Sequence, residues 1–176
     1  MAVTDGFQAI SMQSVAAAAG VTRPIVYEHF GSLQGLLDAI VKREMSEARA
    51  QVSRTALGDL TAGDPAETML QSLSAFLEAV AEHPRTWRLV LMPPEGAPPN
   101  LRKRIARGRA RVLRDLTDAV RPSSLPADLS EDPEVTARLL SAMADEYARL
   151  VIADPERFPP ARLLKHARWW LAHITD

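Results

Sequence analysis

Apolar residues recur along this chain at helical spacing, in blocks separated by proline and glycine. Leu33, Leu36, Leu37, Ile40, Val41, Met45, Ala48 and Val52 fall three or four apart, which predicts one long helix over 33–57. Met69, Leu73, Phe76, Leu77 and Val80 form a second stripe, in a helix opened by Pro65. A short apolar helix follows Pro84 and holds Trp87, Leu89, Val90, Leu91 and Met92. The run Pro93-Pro94-Glu95-Gly96-Ala97-Pro98-Pro99 cannot be helical and reads as a rigid connector. A basic helix is predicted over 101–120, a loop over 121–132, and two final helices over 133–153 and 160–175. Alternating strand patterns are nearly absent, so the expected fold class is all-α.

The N-terminal region carries a tighter pattern. Ser11 is a candidate N-cap for a short helix over 12–19, and Gly20 can take the left-handed geometry that ends it. Thr22 is a second candidate N-cap, before a helix reaching about His29. Pro24 falls in that helix's first turn, where no intrahelical N–H is lost. Two short helices around Gly20-Val21 have helix-turn-helix spacing. Val15, Ala16, Ala19, Val21 and Val26 can form the small core between them, while Thr22, Arg23, Pro24, Tyr27 and Glu28 point outward. An exposed Arg at a helix N-terminus suits entry into a major groove. The same motif can also serve packing alone, a use that needs no such outward polar set.

The stretch GFQAISMQSVAAAAGVTRPIVYEHFGSL, residues 6–33, resembles the DNA-binding signature of the TetR family of transcriptional regulators. The specific part is the Tyr27-x-His29-Phe30-x-Ser32 run after the Ala-Gly-Val turn. The resemblance reaches about Leu37; beyond it the chain matches only in layout, although the proline connector is also familiar from this family. It implies a DNA-binding domain over 1–32, a connecting helix over 33–57, and a ligand-binding and dimerisation domain over 58–176. It further implies that Ser11, Gln13, Thr22, Tyr27 and His29 contact phosphates or the groove edge, that Arg23 and Pro24 lie against bases, and that Phe30 is core. Two departures stand out. Only Met1 to Asp5 precede the Gly6-Phe7 pair, where the family has a full helix, and Leu33 stands where a lysine is common.

Charge qualifies the expectation. The chain's formal net charge is −1, and residues 1–50 hold four basic against five acidic residues. Phosphate neutralisation drives nonspecific affinity, so tight DNA binding is expected to need a homodimer and further N-terminal residues. Residues 101–121, by contrast, carry eight basic against two acidic residues. Most of these read as a solvated helix face. Arg109 falls inside the apolar stripe of Ile105, Val112 and Leu116, and a buried guanidinium needs a partner. The candidates are an internal carboxylate (Glu78, Asp145 or Glu146), which is favoured, or an acidic ligand.

A small-molecule effector is expected between the helices starting near Pro65, Pro84, Asn100 and Pro133. Candidate lining residues are Met69, Leu73, Phe76, Trp87, Met92, Arg109, Leu113, Met143 and Tyr147. Singly, each apolar one fits a core role; together, Met and Trp suit an adaptable apolar pocket. Leu163, Ala167, Trp170, Leu171 and Ile174 share a face of the last helix, and Leu139 and Leu150 lie in a broad stripe on the one before. These are expected at a homodimer interface, with Trp169 and Trp170 pointing to different neighbours.

No cysteine is present, excluding disulfides and thiolate metal sites. No signal peptide or membrane span is legible, so a cytoplasmic location is expected. His166 and His173, seven apart, are a weak metal pair; no His-Glu-x-x-His, Gly-x-Ser-x-Gly or phosphate-cradling loop occurs. No cofactor, metal or catalytic role is expected. The alternatives are a helical protein-binding adaptor indifferent to DNA and, behind it, a small enzyme.

Overall fold

Six prolines sit where helices begin, and their placement sets the architecture. Pro24, Pro65, Pro84, Pro99, Pro133 and Pro160 each lie in a first helical turn, where the ring costs no backbone hydrogen bond. The structure, a computed structural model, describes residues 10–54, 59–61, 63–94, 96–123, 125 and 127–174. Among the described residues are nine helices and no strand. They are α1 (Met12–Ala19), α2 (Arg23–Phe30), α3 (Leu33–Arg54), α4 (Pro65–Glu82), α5 (Pro84–Leu91), α6 (Pro99–Val120), α7 (Ala127–Ser130), α8 (Pro133–Ala153) and α9 (Pro160–Ile174). The expected ends of the long helix at 57 and of the last at 175 fall outside the described residues.

Polar side chains fix several of these starts. Asp64 accepts from the Ala66 amide at the head of α4, and Asp132 from the Val135 amide at the head of α8. Each satisfies an amide that the first turn leaves unpaired. The segment 121–132, expected to be loop, contains the single turn α7. One turn offers no periodicity to read in a sequence. A contact distant in sequence anchors it instead: the Thr136 hydroxyl donates to the Leu129 carbonyl at 2.6 Å.

Two apolar clusters organise the molecule. The smaller unites Ile10, Met12, Ala16, Val26, Leu36 and Val41 with Leu89, Ala97 and Leu101. The end of α5, the proline connector and the first turn of α6 thereby seal the N-terminal helices onto the body. Leu101 is fully buried, and truncating such a leucine costs about 2–5 kcal/mol. The larger cluster joins α4, α5, α8 and α9 around Leu77, Val80, Trp87, Tyr147, Ala148, Ala167 and Leu171.

Candidate nucleic-acid interface

Ser11 caps α1 as its sequence position indicates. Its Oγ accepts from the Ser14 amide at 3.0 Å, and Ser14 Oγ accepts from the Ser11 amide at 2.9 Å. This reciprocal pair closes the first turn. Gly20 ends α1 at φ 65°, and its amide returns to the Ala16 and Ala17 carbonyls. Thr22 stands at the N-cap of α2 with extended backbone but makes no capping hydrogen bond through its side chain.

The core between α1 and α2 is narrower than the apolar pattern implied. Ala16 and Val26 are buried and Val15 is half-buried, but Ala19 and Val21 are exposed. Phe30 is also not core: it is 36% exposed at the last residue of α2, just before Gly31 turns the chain at φ 69°. Every other residue of α2 except Val26 is exposed as well. Ser11, Gln13, Thr22, Arg23, Pro24, Tyr27 and His29 all lie at the surface. Arg23 and Tyr27 are organised together. The guanidinium donates to the Tyr27 hydroxyl at 3.1 Å and lies 5.2 Å from the ring centroid. One turn of helix thus holds a cation and a hydroxyl side by side, a pairing able to meet a phosphate or a base edge.

Behind this surface, polar links among the described residues tie α3 to the body. Asn100 donates to Asp38, the Thr86 hydroxyl donates to Glu44 at 2.7 Å, and Trp87 Nε1 donates to Gln51 at 2.6 Å. Burial works against ionisation of Glu44, but the Thr86 hydroxyl and the Arg43 guanidinium outweigh it and hold its carboxyl below the usual carboxylate value. Gln51 is fully buried and Trp87 only 4% exposed. None of these links was singled out from sequence. Gln51 did offer a signal, since it falls three residues after Ala48 in an otherwise apolar stripe.

The comparisons with known proteins accord with this geometry. Residues 1–40 match the family described as bacterial regulatory proteins, tetR family. Residues 1–40 thus resemble a TetR-family head, and the fold is TetR-like and all-α. A TetR-like transcriptional regulator from a Rhodococcus species superposes with TM-score 0.72 at 22% identity, over 96% of this chain and 87% of that one. The TetR regulator PfmR from Thermus thermophilus gives 0.66 at 21% identity, over 99% and 89%. The fatty acid degradation regulator FadR from Bacillus halodurans gives 0.67 at 14% identity, over 97% and 88%. No functionally curated protein matches the chain.

The TetR-like body places the expected effector residues unevenly. Met69, Leu73, Trp87 and Tyr147 belong to the large core, with Phe76, Met92 and Met143 packed against it. Leu113 is half-buried on α6. Phe76 and Trp87 meet edge-on at 4.9 Å between centroids. The Tyr147 hydroxyl lies 2.8 Å from His166 Nδ1, so it is engaged within the fold; burial raises its pKa. Arg109 is not buried. Its side chain is 44% exposed and pairs at 2.7 Å with Asp145, one of the three carboxylates proposed for it. Clefts open to the surface among the described residues include one of about 320 Å³ lined by Glu44, Glu82 and His83 among others, and one of about 230 Å³ between α4 and α9. Neither is lined by the expected effector residues.

The expected dimer residues divide in the same way. Leu163, Ala167 and Leu171 are 5%, 0% and 1% exposed within the protomer, spent on the core against α4 and α8. They have no surface left to lose to a partner. Trp170 and Leu150 are half-buried against that core. The Ile174 side chain lies outside the described residues. On α8 and α9 the exposed large apolar groups are Leu139 at 61%, itself one of the expected dimer residues, with Trp169 at 60% and Val135 at 49%. The two tryptophans do diverge, with Trp169 the outward one. His166 and His173 are both held by hydrogen bonds, His173 Nδ1 lying 2.6 Å from the Trp169 carbonyl. Among the described residues no cluster of His, Asp or Glu is arranged to hold a metal, and no helix is long and apolar enough to cross a membrane.

Proposed function

We propose that this protein is a homodimeric transcriptional regulator, acting as a repressor, that holds double-stranded operator DNA through α1 and α2 and responds to a small, mostly apolar ligand. The observation that carries this reading is the division of α2: Val26 is 4% exposed while every other residue of the helix faces solvent. A helix that gives the fold one anchoring residue and offers Arg23 and Tyr27 as a bonded pair is built for a partner. Arg23 and Pro24 would meet bases, and Ser11, Gln13, Thr22, Tyr27 and His29 phosphates or the groove edge.

The outer faces of α8 and α9 support pairing. Leu139 and Trp169 are large apolar groups open to water, and a two-fold contact through these helices would cover them in a four-helix bundle. Two reader helices would then stand about 34–36 Å apart, one turn of duplex. Ligand entering the apolar core near Met69, Leu73, Phe76 and Trp87 would act on α3 through the Trp87–Gln51 link, changing the heads' separation.

Light scattering of the full chain should give twice the protomer mass of 19.3 kDa. The variant Leu139→Asp/Trp169→Asp should give the protomer mass and lose duplex retention. A monomer for the unaltered chain contradicts the assembly on which the proposal depends.

A further inference from the structure

The outer face of α6 is a cationic ridge, and we propose that it is a second duplex-contacting surface, gripping phosphates that flank those met by α2. This rests on the DNA-binding reading above. Lys103, Arg104, Arg107, Arg111 and Arg114 recur three and four residues apart, and all five are exposed. They lie opposite Leu101, Ile105 and Val112, which are buried or half-buried. Among the described residues, the only carboxylate paired with this ridge is Asp115, 3.7 Å from Arg111, with both side chains more than two-thirds exposed. Such a pair neutralises little. Lys103 with Arg107, and Arg107 with Arg111, are like charges four residues apart, which disfavours a helix. The face costs α6 stability unless an anion lies against it.

Position selects the anion. The first turns of α6 are built into the reader: Leu101 and Ile105 join the cluster of Ile10, Val26 and Leu36, and Asn100 bonds Asp38 of α3. The reader is itself poor in charge, since residues 10–54 carry five basic and four acidic side chains. A duplex held by α2 therefore finds little phosphate neutralisation in the reader, whereas α6, anchored in the same cluster, concentrates it. From Lys103 to Arg114 the ridge runs about 17 Å at helical rise. That is about the axial rise of five phosphates along one strand. Guanidinium groups suit phosphate oxygens through paired hydrogen bonds.

The test uses the full chain and a labelled mixed-sequence duplex of about 40 base pairs, titrated between about 50 and 200 mM salt. Each lost phosphate contact makes the log–log salt slope shallower by about 0.9. Arg104→Gln/Arg107→Gln/Arg111→Gln should flatten the slope by about 2–3 for each protomer on the duplex. The affinity lost across that salt range should then shrink by a factor of about 40 per protomer. Its melting temperature should not fall, because the three side chains are surface groups. If this variant keeps the parental slope while Arg23→Ala/Tyr27→Ala weakens binding, the ridge proposal is overturned and the reader stands. If the ridge variant weakens binding and the reader variant does not, the ridge stands and the reader assignment fails. No duplex binding by the unaltered chain overturns both. A ridge variant that loses only attachment to phosphatidylserine vesicles overturns the ridge proposal alone.

Discussion

Replacing Trp87 by Phe removes one indole N–H from the interior and tests how α3 is held. Trp87 Nε1 donates to Gln51 Oε1 at 2.6 Å, and Gln51 has no exposed surface. In Trp87→Phe that carboxamide oxygen loses its donor and cannot reach water. A buried acceptor left unpaired costs about 1–3 kcal/mol, beyond the smaller ring's loss of packing. In Gln51→Leu the indole N–H is orphaned instead; Glu47, the acceptor of the Gln51 amide at 2.9 Å, is exposed and regains water. The double variant replaces both partners by apolar groups and leaves nothing unpaired. Its destabilisation should fall short of the sum of the singles by about 1–3 kcal/mol. Urea unfolding followed by circular dichroism measures all four proteins without depending on tryptophan emission. Additivity within about 0.5 kcal/mol would refute the claim that this bond carries the joint.

Other expectations follow from the same geometry. Arg23→Ala should weaken duplex retention without changing the melting temperature, because its partner Tyr27 is also a surface group; a fall in melting temperature would place Arg23 in the fold instead. Glu44 is held below the usual carboxylate value, so its contribution to stability is present above the unfolded-state pKa and lost as pH falls through the folded one. Thr86→Val should flatten the acid limb of a melting-temperature profile below about pH 5, and an unchanged limb contradicts the assignment. Gly20→Ala should cost about 1–2 kcal/mol by calorimetry, since a side chain there meets open space but a left-handed backbone. Gly35→Ala should cost more, because its Cβ would overlap the Phe30 carbonyl; equal losses would contradict that packing.

Periodicity and punctuation made the helices legible. Pro65, Pro84, Pro133 and Pro160 mark starts that the structure keeps, because proline's missing N–H costs nothing in a first turn. The helix-turn-helix was legible for the same local reason: Ser11 and Gly20 fix both ends of α1 with short-range bonds. What a helical stripe does not encode is its partner. The face of Leu163, Ala167 and Leu171 looked equally suited to a second subunit, yet α4 takes it. Arg109 sits at a stripe position, but its long stem carries the charge out to Asp145 at the rim. The Trp87–Gln51 bond joins residues 36 apart, and no local spacing announces it. The single turn α7 likewise depends on a bond from Thr136 that lies beyond its own length.

Selection of bound duplexes from a random-sequence pool, repeated with Arg23→Ala, bears most directly on whether α2 reads DNA. The unaltered chain should enrich an inverted repeat whose half-sites lie about 10 base pairs apart, or a multiple of that spacing, and Arg23→Ala should enrich none. A pool that stays random with the unaltered chain, or a repeat recovered equally well by Arg23→Ala, would contradict it.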